Sequence, residues 1–125
     1  AAGRDVVFNG SGVFLAEADA EVLNRAFENV VRNAVKFTGE QTSVKVDAVV
    51  CESQLTVTVA DRGPGVSAHA REQMFEPFRR VGTDPVEGFG LGLSIAKRAV
   101  EFHGGGISAL DHEGGGLLVR ITLQN

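Results

Sequence analysis

The chain is 125 residues long, 43% hydrophobic and carries a net charge of −4. That length supports one domain, residues 1–125, with a real core, and the acidic balance argues against a nucleic-acid or anionic-membrane binder, which would carry a basic face. No apolar run reaches the roughly 18 residues a membrane-spanning helix needs, and no signal-peptide pattern opens the chain.

In chain order, Asp5 to Phe8 and Val13 to Ala16 read as short edge strands around a turn at Asn9-Gly10-Ser11-Gly12. From Ala20 to Phe37, apolar residues recur at Val22, Leu23, Ala26, Phe27, Val30, Val31, Ala34 and Val35, the stripe of an amphipathic helix, with Asp19 as N-cap and Gly39 as stop. Ser43 to Val50 and Leu55 to Ala60, joined at Glu52-Ser53, read as an antiparallel hairpin. Cys51, the single cysteine, excludes an internal disulfide, fits a reducing compartment and reads as a small core residue. A short helix follows, then a loop from Arg79 to Glu87 with neither period, then an apolar-periodic helix from Leu91 to His103. Ile107 to Leu110 and Leu117 to Leu123, joined through Glu113-Gly114-Gly115-Gly116, close the chain as a second hairpin. This order predicts an α/β two-layer sandwich, with helices on one face of a mixed, mainly antiparallel sheet.

Four segments carry chemistry. Asn29, Asn33 and Lys36 fall at i, i+4 and i+7, on one face of the first helix. Amide oxygens can ligate Mg²⁺, which takes hard oxygen donors and completes its shell with phosphates and water, and a lysine can meet a phosphate as a point charge. The same pattern also suits a solvated helix face. At the end of the second hairpin strand, Asp61-Arg62-Gly63-Pro64-Gly65 sets a carboxylate before a bare backbone turn. Such a carboxylate can accept a hydrogen bond from an exocyclic amine while a planar base lies close, although Asp, Gly and Pro also favour ordinary turns. Met74-Phe75-Glu76-Pro77-Phe78-Arg79-Arg80 sets two aromatics to pin the base of the loop, then two arginines at its mouth. A loop arginine can stabilise a transferring phosphoryl group. Finally, Gly88-Phe89-Gly90-Leu91-Gly92-Leu93 runs into a helix, so bare backbone amides and the positive end of the helix dipole can cradle an anion. It lacks the Gly-Lys-Ser/Thr ending of a P-loop and the preceding strand of a dinucleotide fingerprint.

Together and in this order, the segments resemble a known family. Asn29 to Thr38 resembles the N box of sensor histidine kinases, Asp61 to Gly65 their G1 box, Phe75 to Phe78 their F box, and Gly88 to Gly92 their G2 box. The likeness runs from Asp5 to Leu123. It implies the Bergerat ATP-binding fold of the GHKL superfamily, shared with gyrase-type, chaperone and mismatch-repair ATPases, with a five-stranded sheet, about three helices and ATP under a flexible lid.

The resemblance implies Mg-ATP binding and transfer of the γ-phosphate to a histidine. Asn33 would ligate Mg²⁺, with Asn29 a second contact to metal or phosphate. Lys36 would face the phosphates, Asp61 would accept from the adenine amine, and Gly63 and Gly65 would let base and ribose approach. Gly88, Gly90 and Gly92 would bring backbone donors to the triphosphate, Leu91 and Leu93 would seat the helix, and Arg80 would stabilise the γ-phosphate. The acceptor histidine is expected in a separate dimerisation domain of the same kinase, with a response regulator as indirect partner. His69, His103 and His112 lack the acceptor context. Glu28, beside Asn29, stands second as a water-activating base to a solvated or locally paired role.

Relatives often carry Thr after the last hairpin's glycine; here Leu117 follows Gly116, removing a hydroxyl that would support the adenine-binding carboxylate. The frequent closing Leu-Pro is Leu123-Gln124. With Ala1-Ala2 at its start, the chain reads as a piece of a longer protein: a cytoplasmic, monomeric catalytic domain of a membrane-anchored sensor, without membrane or nucleic-acid contacts of its own. A serine kinase or ATPase of the same superfamily, and a nucleotide-sensing module without transfer, are the alternatives.

Overall fold

In a computed structural model, residues 5–10, 20–76 and 92–124 are described. They form β1 (Asp5–Gly10), α1 (Ala20–Phe37), β2 (Ser43–Cys51), β3 (Gln54–Ala60), α2 (Ala68–Gln73), α3 (Gly92–Phe102), β4 (Gly106–Asp111) and β5 (Leu117–Gln124). The predicted strand at Val13 to Ala16 and the predicted loop at Arg79 to Glu87 lie outside the described residues.

The five strands form one sheet in the order β1-β2-β3-β5-β4. β1 adds to β2 in parallel, and every other neighbouring pair is antiparallel. Register follows the hydrophobic alternation. Val46 pairs with Val59 and Val59 with Val119, so their side chains share the face that packs on the helices. One residue along, Asp47, Thr58 and Arg120 pair across the opposite, polar face.

The core lies between the first face and helices α1 and α3. From α1 come Leu23, Ala26, Val30 and Ala34, spaced three and four apart as one helical stripe requires. Leu93, Ala96, Ala99 and Val100 of α3 meet Val57, Val119, Ile121 and Leu123 in the same cluster. A fully buried side chain such as Ile121 contributes roughly 1.5–3 kcal/mol by leaving water. Among the described residues no helix is long and apolar enough to cross a membrane.

Two sequence expectations are corrected. Cys51 is exposed, not a core residue. Val44 and Val46 point inward, so odd-numbered Cys51 falls on the outer face, at the strand end beside the turn. Asn9 and Gly10, read as a turn, instead finish β1, in register with Asp47 and Ala48. There, parallel pairing satisfies their backbone groups and overrides turn propensity.

The topology gathers one end of the sheet into a site. α1 ends at Phe37, just before β2 starts, and Lys45 near that start pairs with Ala60 at the end of β3. α3 runs the other way. Its C-terminus leads through Gly104, at φ +77°, into Gly106, which pairs with Thr122 near the far end of β5. The N-terminus of α3 therefore lies at the same sheet end as the C-terminus of α1 and the residues after β3.

Candidate functional site

The last turns of α1 present Asn29 and Asn33 half-buried and Lys36 exposed. Neither carboxamide is held by a hydrogen bond or ion pair among the described residues. The Lys36 ammonium lies 5.5 Å from the centre of the Phe37 ring, a cation–π contact that keeps its charge near the helix end.

Asp61 follows β3 and is 3% exposed. A buried carboxylate must be hydrogen-bonded to persist, and the backbone supplies the donors. Its Oδ1 accepts from the Gly63 amide at 2.9 Å and from the Leu117 amide at 3.1 Å. The Leu117 side chain is buried in the core while its backbone amide bonds the carboxylate. No donor among the described residues reaches Oδ2. That oxygen keeps its acceptor capacity among the described residues.

The chain around Asp61 is tied to both neighbouring segments. The Asp61 amide donates to the Leu117 carbonyl at 2.9 Å, extending the β3–β5 ladder by one residue. The Arg62 amide donates to Thr38 Oγ1 at 3.0 Å, and the Gly39 amide to the Arg62 carbonyl at 3.3 Å. Thr38 is 1% exposed and also shares a 2.8 Å hydrogen bond with the Thr42 hydroxyl. These bonds fix the end of α1, with its Asn and Lys residues, against the turn that carries Asp61.

Gly63 has a packing reason to be glycine. A Cβ there would stand 2.2 Å from the Phe37 carbonyl oxygen, so the close approach of turn to helix needs the bare backbone. Gly65 takes φ +79°, which disfavours any side chain. At Gly92, the first residue of α3, a Cβ would meet nothing within 4 Å among the described residues. Leu93, the next residue, is buried in the core.

Phe75 is buried beside Met74, which agrees with an aromatic pinning the chain at this point. Arg80, Gly88, Gly90 and Leu91, with Pro77 and Phe78 of the F box, lie outside the described residues. Glu28 is exposed. His69 lies exposed on α2, the His103 ring bonds the Ala99 carbonyl, and the His112 ring bonds the Asp61 carbonyl. Among the described residues no group of three His, Cys, Asp or Glu could hold a metal ion by itself.

Sequence reasoning gave no role to Thr38, Arg62 or His112. Thr38 accepts from the Arg62 amide 24 residues along the chain, beyond the local bonds that a hydroxyl at a helix end signals. Arg62 Nη1 donates to the carbonyls of Glu113 at 3.0 Å and Gly115 at 3.3 Å, a link across fifty residues that no local pattern announces.

Comparison with known proteins bears on this arrangement directly. Residues 18–125 match the family described as histidine kinase-, DNA gyrase B-, and HSP90-like ATPase. The sensor protein KdpD of Mycobacterium tuberculosis is 42% identical over 122 residues, which are 97% of this chain but 14% of that protein. Among solved structures, the mycobacterial sensor histidine kinase MprB superposes with a TM-score of 0.88 at 27% identity, covering 98% of this chain and 84% of that one. Full-length ShkA in complex with AMPPNP gives a TM-score of 0.81 at 33% identity, covering 97% of this chain and 25% of that one.

Proposed function

This chain belongs to the histidine kinase-, DNA gyrase B-, and HSP90-like ATPase family, and from that premise we propose that it binds Mg-ATP and donates the γ-phosphate to a histidine in a separate dimerisation domain of a sensor kinase. The observation that carries the reading is the state of Asp61, with one carboxylate oxygen held by two backbone amides and the other left to accept. Adenine, with its amine at C6, supplies the matching donor, whereas guanine carries a carbonyl at that position.

The remaining roles follow from chemistry. The half-buried carboxamides of Asn33 and Asn29 offer hard oxygen donors with no competing partner among the described residues, which suits Mg²⁺ shared with phosphates. Lys36 adds charge from the same face. Gly92, whose Cβ position meets no other described residue within 4 Å, lets the start of α3 approach the triphosphate, together with Gly88 and Gly90. Arg80 stabilises charge on the γ-phosphate, and Leu91 joins Leu93 in seating the helix. Gly63 and Gly65 keep the base side of the turn free of side chains. Phosphoryl transfer needs positioning and charge neutralisation more than covalent help, and this set supplies both. The reading sets the chain in the cytoplasm, with a response regulator downstream.

Asp61→Asn tests the base contact. ATP affinity, measured by titration, should fall at least tenfold while thermal stability changes little, and the preference for ATP over GTP should vanish in the variant. Equal ATP and GTP affinities in the unaltered chain would overturn the adenine role. Phosphate appearing on a partner's serine, or rapid release to water, would favour the serine-kinase or ATPase reading, and tight binding without transfer the sensing module.

A further inference from the structure

Resting on the adenine reading of Asp61, we propose that His112 is a positioning residue for base recognition: with Thr38 it clamps the peptide plane that aims the Asp61 carboxylate. His112 lies in the β4–β5 turn, half-buried, and its Nδ1 is 3.1 Å from the Asp61 carbonyl oxygen. A carbonyl only accepts, so Nδ1 carries the proton. That carbonyl and the Arg62 amide belong to one peptide unit. His112 holds its oxygen, and Thr38 Oγ1 holds its N–H at 3.0 Å from the other side.

The preceding peptide is fixed as well, because the Asp61 amide donates to Leu117. With both planes that flank its Cα immobilised, Asp61 has its Cβ direction set, and Oδ1 falls between the amides of Gly63 and Leu117. Only then does Oδ2 point at one place. Beyond Ala60↔Leu118 the strand ladder gives the Asp61 amide its Leu117 partner, and among the described residues the Asp61 carbonyl bonds the imidazole alone.

The turn is built to present that imidazole. The His112 amide bonds the Gly116 carbonyl at 3.1 Å, the Gly115 amide bonds the His112 carbonyl at 2.9 Å, and Arg62 grips two further carbonyls of the same turn. Gly116, at φ +103°, admits the approach, because a Cβ there would stand 2.0 Å from the Asp61 carbonyl oxygen.

The test compares affinities for ATP and for inosine triphosphate, which has a carbonyl where adenine has its amine. His112→Leu keeps bulk without a donor, and His112→Asn restores an N–H near the Nδ1 position. We expect His112→Leu to weaken ATP about three- to tenfold, the scale of one neutral hydrogen bond, to change inosine triphosphate less than about twofold, and His112→Asn to recover most of the discrimination. Thr38→Val should act in the same direction, and less than additively with His112→Leu. If His112→Leu does not fold, His112→Ala and His112→Asn carry the same comparison. Equal losses for both nucleotides, unchanged discrimination, or failure of Asn to restore it would overturn the positioning role. Asp61→Asn separates the two claims: discrimination lost there but intact in His112→Leu removes only the positioning role, whereas discrimination intact in Asp61→Asn removes the adenine reading beneath it.

Discussion

Asn33 and Asp61 are both side chains whose neighbours leave an oxygen unspent, but they reach that state differently. Asp61 is buried and spends one oxygen on two backbone amides, whereas Asn33 is half-buried on a helix and is held by no partner among the described residues. Replacing Asn33 by Ala should therefore leave the fold intact and, on the proposed reading, remove a metal contact. Nucleotide titration with Mg²⁺ should show at least a tenfold loss of ATP affinity, and with a chelator in place of Mg²⁺ the variant and the unaltered chain should coincide. A variant that loses affinity equally under both conditions would sink the metal assignment. At this scale the sequence was legible wherever chemistry dictates a residue type. Asn29, Asn33, Lys36 and Asp61 could be singled out as candidates by residue type and spacing, and the resemblance to the histidine-kinase boxes supplied the roles proposed for them. His112 and Thr38 could not, since a side chain that bonds a distant carbonyl or amide obeys no spacing rule.

Elements were legible where one face is apolar. α1 occupies the span its stripe predicts, Ala20–Phe37, and both hairpins form, since alternation fixes which residues face the helices. The failures came from pairing and from strand ends. Asn9 and Gly10 join β1 because β2 offers partners, and Cys51 is exposed because alternation and the strand end outweigh its local hydrophobicity. The core those elements bury is continuous across α1, α3 and the central strands, so a hole in its middle should be felt by all of them. Ile121 is fully buried on β5, paired with Val57 and Ile107. Ile121→Ala should cost about 2–5 kcal/mol, read as a lowered urea midpoint with an unchanged slope. An altered slope would mean that the elements no longer unfold as one unit.

At the scale of the whole molecule, the chain holds three histidines and, on the proposed reading, phosphorylates none of them. An acceptor needs a ring nitrogen in line with the γ-phosphate. His112 spends Nδ1 on the Asp61 carbonyl, at the base end of the proposed site. His103 follows an 11-residue helix whose other end begins at Gly92, about 16 Å away at about 1.5 Å per residue, and its ring already bonds the Ala99 carbonyl. His69 is exposed on α2, a six-residue helix that Arg71 ties to Asp111 of β4 at 2.8 Å. The chain spans 14% of its relative KdpD, which leaves ample length in such proteins for a separate acceptor. Incubating this chain with γ-labelled ATP should therefore give no acid-labile phosphate, and adding a helical dimerisation domain with an acceptor histidine should produce it on that domain alone. Label on His69 in the isolated chain would place the acceptor inside this fold. Acid-stable label on an added partner would instead mark a hydroxyl acceptor, because phosphoserine survives acid that cleaves phosphohistidine.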